Sequence, residues 1–404
     1  MTNSVYITGT GIISSIGSNV SETLDSIKEK KSGIAALQYI STRHKDEVVV
    51  AEVKASNSEL KKICAVPEDS NFSRPTLLGI IAVKEALQSS GIKNIKEFRT
   101  GIVSATSVAG MADAENIYMD YLDQTKQGDF LKYIGTHECG DSTEKIADYF
   151  GIKDFVSTIN TACSSSANAI MFGARLIKQG ILDRVIVGGT DSLSRFTING
   201  FVALQILDKE QCAPFDAKRK GLNLGEGAGF IVLESEKAAK GKEILCELTG
   251  YGNSNDAYHQ TASSPTGEGA YLAMQKAFRQ SGIKPEEINY INAHGTGTEV
   301  NDLSEGIAIE RIFENKVPHL SSTKSFTGHT LAASGGIEAV LSVLAIKHNL
   351  IYPSLNFSEQ MMELSFQPTK NLLTDCKIDH VLSNSFGFGG NTSALIFSRF
   401  NAAV

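Results

Sequence analysis

The sequence predicts an α/β protein made of two similar halves. Short apolar runs of strand length alternate with segments whose apolar residues recur every three or four positions. A series of short motifs occurs twice, in the same order. A basic stretch, 237–242, lies between the two series. The expected division is therefore 1–242 and 243–404, with mostly parallel strands and helices on the sheet faces.

In the first half, a strand at 5–7 leads into Thr8-Gly9-Thr10-Gly11. A helix follows over 21–31, with Ser21 in the capping position. Residues 48–53 read as a strand. Residues 74–90 read as a helix, with Leu77, Leu78, Ile81, Ala82 and Leu87 apolar, ending in Ser90-Gly91-Ile92-Lys93. A strand at 101–107, a more polar helical insertion at 111–126 and a helix at 142–150 come next. A turn around Cys163 then opens a helix with Ala167, Ile170, Met171, Ala174 and Ile177 on one face. The half closes with a buried strand at 184–189, the segment Gly225-Glu226-Gly227-Ala228-Gly229 and a strand at 230–233.

The second half repeats this order. A strand at 245–248 runs into Thr249-Gly250-Tyr251-Gly252, and a helix at 270–280 ends in Ser281-Gly282-Ile283-Lys284. A strand at 290–293, an apolar helix at 335–349 and a strand at 381–385 follow. Gly387-Phe388-Gly389-Gly390 then leads into the last strand, 393–397.

Composition narrows the class. The 404 residues are 42% hydrophobic with eight prolines, enough for a large core and too ordered for a disordered chain. A net charge of −7 speaks against bulk binding of nucleic acid or anionic membranes. The six cysteines are scattered without Cys-x-x-Cys pairs or zinc-site spacing, so they read as reduced thiols. The opening residues have no basic segment before an apolar one, and no membrane-spanning run of about 18 apolar residues is expected. A cytoplasmic protein is the expectation.

Four segments carry candidate chemistry. Asn160-Thr161-Ala162-Cys163-Ser164-Ser165-Ser166 places a cysteine at a strand-to-helix turn with serines in capping positions. Helix-start amides and the helix dipole favour a thiolate there; a small buried cysteine at a tight turn fits the same pattern. Asn292-Ala293-His294-Gly295-Thr296-Gly297-Thr298 suits close contact with a polar ligand, or a histidine capping a turn. Lys324 and His329 stand five apart before a helix start of small residues, and Glu338 on that helix is a partner for Lys324. A surface ion pair and a packing helix are the plainer alternative. Asn384-Ser385-Phe386-Gly387-Phe388-Gly389-Gly390-Asn391 offers free backbone amides as oxyanion donors, or is simply a loop. It fits neither a Walker loop nor a Rossmann fingerprint.

Together and in this order, these segments resemble the β-ketoacyl-acyl-carrier-protein synthases, over nearly the whole chain. Pro214-Phe215-Asp216 and Gly225-Glu226-Gly227-Ala228 belong to the resemblance too. It implies a thiolase-like fold of duplicated halves in α-β-α-β-α layers, as a homodimer or as a heterodimer with a homologous subunit. It implies that Cys163 takes an acyl chain from the phosphopantetheine thioester of an acyl carrier protein and condenses it with malonyl carrier protein, which loses carbon dioxide. His294 and His329 would stabilise the enolate, with Lys324 and Glu338 setting charge and orientation behind them. Amides of Cys163 and Phe388 would hold the acyl oxyanion. Thr296 and Thr298 would bind the pantetheine arm, Val108 and Phe388 would line the acyl pocket, and Phe388 would gate it. No metal and no cofactor beyond the carrier's phosphopantetheine is implied.

Two histidines resemble the elongating synthases, since chain-starting ones have asparagine at one position. No cysteine stands in 387–390, unlike thiolases, and Cys163 is present, unlike chain-length factors. A ketosynthase of an aryl-polyene or polyketide pathway, partnered by a cysteine-less chain-length factor, stays open, as does a non-catalytic scaffold. Two departures stand out. The closing glycines are followed by Asn391-Thr392 where the family has Thr-Asn, and Ser107-Val108-Ala109-Gly110-Met111 is poorer in glycine than housekeeping enzymes. Lys61, Lys62, Arg74 and Lys209 are the expected docking residues for an acidic carrier, against ordinary solvated cations.

Overall fold

A computed structural model describes residues 4–314 and 316–401. The outer ends of the two expected halves, 1–3 and 402–404, lie outside the described residues, including the first three residues of the opening segment. The first half supplies strands β1 (Tyr6–Ser14), β2 (Thr100–Ala105), β3 (Phe155–Ile159), β4 (Arg184–Asp191) and β5 (Gly227–Glu234). The second supplies β6 (Cys246–Asn255), β7 (Tyr290–Asn292), β8 (His319–Ser321), β9 (His380–Phe386) and β10 (Asn391–Ser398). They form one ten-stranded sheet in the order β3-β2-β4-β5-β1-β6-β10-β9-β7-β8. From its outer edge to the seam, each half runs third, second, fourth, fifth, first, so the repeated motif order has the same topology twice. The halves join where β1 meets β6, through Tyr6–Glu247 and Ile7–Cys246.

The strands are not mostly parallel as the helix alternation suggested. β2, β3 and β4 run parallel, as do β7, β8 and β9, but β5 and β10 lie antiparallel to both neighbours. In the second half the reason is local. Only the short glycine loop separates β9 from β10, too little chain for the crossover that a parallel pair requires.

The helices make three layers around the two halves of the sheet. Between the halves lie Ser165–Lys178 and Ser334–His348, and Ala167, Ile170, Met171, Ala174 and Ile177 all face this shared core, as their spacing predicts. Arg74–Ser89 and Cys139–Phe150 cover the outer face of the first half, packing Leu77, Leu78 and Ile146 on Ile102, Ile186 and Phe230. Glu268–Ser281 and Glu299–Phe313 cover the second, packing Met274, Phe278 and Ile309 on Ile291, Leu382 and Ile396. The stretch Leu331–His348 is, by length and composition, apolar enough to cross a membrane, contrary to expectation. It is 89% buried because it is the middle layer of the molecule, with sheet on both sides.

The Thr-Gly-x-Gly repeat sits inside strands rather than in loops. A Cβ on Gly9 or Gly11 would fall 2.2 or 2.0 Å from the carbonyl oxygen of Ala86 or Ala82. On Gly250 or Gly252 it would fall 2.5 or 2.1 Å from that of Ala277 or Ala273. Each pair lets the outer helix of its half lie directly on the first strand. Other boundaries moved. The first strand extends to Ser14. The next helix, Val20–Lys28, is capped by Asn19, whose side chain accepts the Glu22 N–H at 2.9 Å, and not by Ser21. Of 48–53 only Val49–Val50 is strand, paired with Ala35–Ala36 in a ribbon. Two helices without a sequence prediction, Arg195–Ala203 and Glu299–Phe313, flank the site.

Candidate active site

β3 feeds the turn that carries Cys163. Ala162 takes a left-handed φ of 53°, a strained conformation for a side chain with a Cβ. The turn therefore reverses within two residues and presents Cys163, 6% exposed, to a cavity. The serines fasten this turn instead of capping the helix, where no side-chain cap bond forms. Ser165 Oγ accepts the Thr161 N–H at 2.8 Å, and Ser164 Oγ lies 2.8 Å from both Thr161 O and Asn391 Oδ1. Burial pushes the thiol up to about 12, opposed by the Lys324 charge and the Phe388 N–H. The resting nucleophile is thus a neutral thiol and not the thiolate expected of a helix start. Gly387 lets the closing loop lie against this turn: a Cβ there would stand 2.7 Å from Thr161 O and 3.1 Å from Cys163 N.

His294 follows β7 and is 2% exposed. Its loop hangs on acids of the helix Glu299–Phe313. Glu305 accepts the His294 and Gly295 N–H groups at 2.9 and 2.8 Å, and Asp302 accepts those of Thr296, Gly297 and Phe215. Burial raises the Glu305 carboxyl to about 7 despite these donors. The Lys324 ammonium meets His294 Nδ1 at 3.2 Å, His294 O at 2.6 Å and the Glu338 carboxylate. Lys324 and Glu338 are each 2% exposed at the side chain, so this is no surface ion pair. All three ammonium protons are committed, so Lys324 donates nothing toward the cavity. An ammonium at Nδ1 requires that nitrogen to accept, which leaves the His294 proton on Nε2.

His329 is held by its backbone, with N–H to Asn223 O at 2.7 Å and its own O accepting the Gly225 N–H at 2.9 Å. Its Nδ1 lies 2.9 Å from Ser334 Oγ. With Ser334 donating, this imidazole too carries its proton on Nε2. The two rings stand 5.3 Å apart, nearly perpendicular. Burial, then the Lys324 charge, hold both well below the ordinary histidine value of 6.5, and His329 depresses His294 further. Both are neutral N–H donors at neutral pH.

A cavity of about 380 Å³ brings together Cys163, His294, His329, Thr296, Thr298, Phe386 and Phe388. The two threonine hydroxyls bond each other at 2.8 Å. The Phe388 ring stacks at 5.8 Å on Phe201, which stands on the helix Arg195–Ala203 and escaped the sequence reading. Val108 does not line this cavity. It packs in an apolar cluster with Leu193, Ile198 and Leu331, against which Phe201 also packs, and Asp191 accepts its N–H.

Of the expected docking residues, Arg74 is corrected. Its guanidinium is buried in a two-bond pair with Glu226, at 2.9 and 2.6 Å, and its remaining protons go to Val53 O, Ala55 O and Asn57 Oδ1. It holds the inside of the first half, with all five of its N–H donors committed. Lys61 donates to Glu68 O and Ser70 O, while Lys62 and Lys209 are exposed. None of the three lines the cavity, whose rim carries Lys220 instead. Asp302 and Glu305 were also missed. Their signal is two acids three apart, directly after the Thr296–Thr298 loop.

Family models match both halves of the chain. Residues 2–239 match the N-terminal domain of beta-ketoacyl synthase and residues 245–358 match its C-terminal domain. The chain is 34% identical to 3-oxoacyl-[acyl-carrier-protein] synthase 2 of Staphylococcus aureus, over 98% of this chain and 99% of that one. It is 33% identical to the protein of that name from Coxiella burnetii, over 98% of each. Among solved structures, the ishigamide ketosynthase/chain length factor superposes with TM-score 0.92 at 28% identity, over 99% and 100% of the two chains. A ketosynthase in complex with its chain length factor from Xenorhabdus doucetiae gives 0.86 at 31%, over 98% of each. The chain belongs to the β-ketoacyl synthase family.

Proposed function

We propose that this chain is a 3-oxoacyl-[acyl-carrier-protein] synthase that elongates a carrier-bound acyl chain. The observation that carries this reading is the convergence of a buried thiol and two neutral imidazole donors on one cavity, with a fully committed ammonium behind them. In the first step Cys163 Sγ bonds to the acyl carbonyl carbon, the pantetheine sulfur leaves, and the thiol proton goes with it. The amides of Cys163 and Phe388 hold the oxyanion. In the second, the malonyl carboxylate departs as carbon dioxide and its electron pair moves onto the thioester oxygen. The Nε2–H groups of His294 and His329 receive that charge. The enolate carbon then attacks the acyl carbon, the C–S bond to Cys163 breaks with its electron pair on Sγ, and a proton from solvent restores the thiol. Lys324 and Glu338 position His294, Thr296 and Thr298 hold the pantetheine arm, and Phe388 against Phe201 closes the way to an acyl pocket on the Val108 side. No metal or resident cofactor enters these steps.

The partner is an acyl carrier protein, which is the substrate carrier named for the Staphylococcus aureus relative. The chain works as a dimer through β3. This strand is the free edge of the first half, and its Val156 is 39% exposed. The helix Met111–Leu122, in the same half, buries none of its residues and exposes Tyr118, Met119, Tyr121 and Leu122. A second reading makes the partner a homologous chain-length factor. It is favoured by the likeness to two ketosynthase/chain length factor structures.

The test is condensation itself. Acyl and malonyl carrier proteins incubated with the enzyme are expected to yield β-ketoacyl carrier protein, detected by intact mass. A well-folded protein that forms none, alone or with a chain-length factor, contradicts the proposal.

A further inference from the structure

The loop 387–390 carries the Phe388 amide that faces Cys163, and it is fastened on two sides. On the outside, Gly389 N–H donates to Gln260 O at 2.7 Å and Asp256 N–H to Gly390 O at 2.7 Å. Asn255 Nδ2, at the end of β6, also donates to Gly389 O at 3.0 Å, while residues 256–267 themselves belong to no helix or strand. On the inside, beyond the β9–β10 ladder, the bonds to neighbouring elements gather on Asn391. Its backbone O accepts the Gly387 N–H at 2.8 Å, closing the loop. Its side-chain Oδ1 lies 2.8 Å from Ser164 Oγ, 2.8 Å from Asn168 Nδ2 and 2.9 Å from Asn253 Nδ2. These donors belong to the nucleophile turn, the helix behind it and β6. One carboxamide oxygen thus ties the loop bearing one oxyanion amide to the turn bearing the other. The Asn391-Thr392 order that set this sequence apart puts the carboxamide at this point, while Thr392 Oγ1 turns away to Ser254 O at 3.3 Å.

The histidine side of the site has supports of its own, which meet the loop's strand β9 only where Asn384 donates to Glu305 and Ser385 to Glu338. Lys324 and Glu305 hold His294, and Asn223, Gly225 and Ser334 hold His329. None of them bonds to Asn391. We propose that Asn391 is a positioning residue for acyl transfer to Cys163, setting the separation of the Cys163 and Phe388 amides and leaving malonyl decarboxylation untouched. In the step it governs, the Sγ–C bond to Cys163 forms, the pantetheine S–C bond breaks, and the thiol proton leaves on the pantetheine sulfur. The inference rests on the function proposed above.

Two variants of similar size separate the roles. Asn391→Leu removes the acceptor, and Asn391→Asp keeps an oxygen in its place. The rate of mass gain on Cys163 from acyl carrier protein is measured in each. Decarboxylation of malonyl carrier protein is measured with the same substitution added to Cys163→Ala. Asn391→Leu is expected to slow acylation about tenfold while decarboxylation stays within about twofold, and Asn391→Asp to recover most of the loss. Retained decarboxylation also reports an intact fold. Ser164→Ala removes one donor and carries the same split should the leucine variant fail to fold. An equal loss of both steps, or unchanged acylation in both the leucine and the alanine variants, overturns the inference. If the unsubstituted protein takes up no acyl group, the proposed function fails and takes the inference with it; normal uptake in the unsubstituted protein and both variants sinks the inference alone.

Discussion

Cys163 meets its substrate as a neutral thiol, since burial pushes it up to about 12. Alkylation of Cys163 by iodoacetamide is therefore expected to keep rising with pH past the ordinary thiol value of 9.0, read by peptide mass; a plateau at or below it contradicts the burial argument. The histidines shift the opposite way to the ordinary acid limb. Their neutral form persists below 6.5, so lowering the pH through that value protonates neither. Malonyl decarboxylation by Cys163→Ala should stay flat from pH 8 to below 6.5, and a loss centred at or above 6.5 would argue against two neutral donors. His294→Ala in the same background is expected to cost roughly 100-fold in decarboxylation, the scale of one oxyanion donor. The residue identities were legible because a Cys, two His and a Lys recur in a family order. Their protonation was not, because it depends on burial that residues distant in sequence create. Arg74 failed for the same reason: an arginine reads as a surface cation until Glu226, 152 positions on, is seen beside it.

Secondary structure was legible where period and packing agree. The helix behind Cys163 is buried over most of its surface, and its five predicted residues, at helical spacing, all lie in the core. The helix Glu299–Phe313 has no such stripe, because it buries Asp302 and Glu305 to hold the His294 loop. A helix that spends its inner face on acids escapes a search for apolar periodicity. Glu305→Ala should therefore act through His294, lowering decarboxylation by about tenfold while leaving acylation of Cys163 nearly intact. Parallel loss of both steps would make Glu305 a general structural residue. The cause of the glycine repeats lies in the approach of helix to strand. Gly252→Ala, with its Cβ 2.1 Å from Ala273 O, is expected to destabilise the protein by about 1–3 kcal/mol in chemical denaturation. A change within experimental error would mean that the helix shifts freely.

For the whole molecule, the duplication explains why the site sits at a seam. Each half contributes loops from its strand ends, and the shared core places Cys163 from one against His294 and His329 from the other. The duplicated order was legible as motif echoes, while the mixed strand directions depend on loop lengths that no periodicity reports. The free edge at β3 runs directly into the nucleophile turn, so the proposed dimer would cover the strand that carries Cys163. Val156→Asp is expected to shift sedimentation toward the monomer and to lower condensation with it. A dimer unchanged by this substitution would place the interface elsewhere. The most direct test of the central claim is the mass of the Cys163 peptide after incubation with acyl carrier protein. A gain of one acyl group on Cys163, removed when malonyl carrier protein is added, is the expected result. An acyl group on another residue, or none on a folded protein, contradicts it.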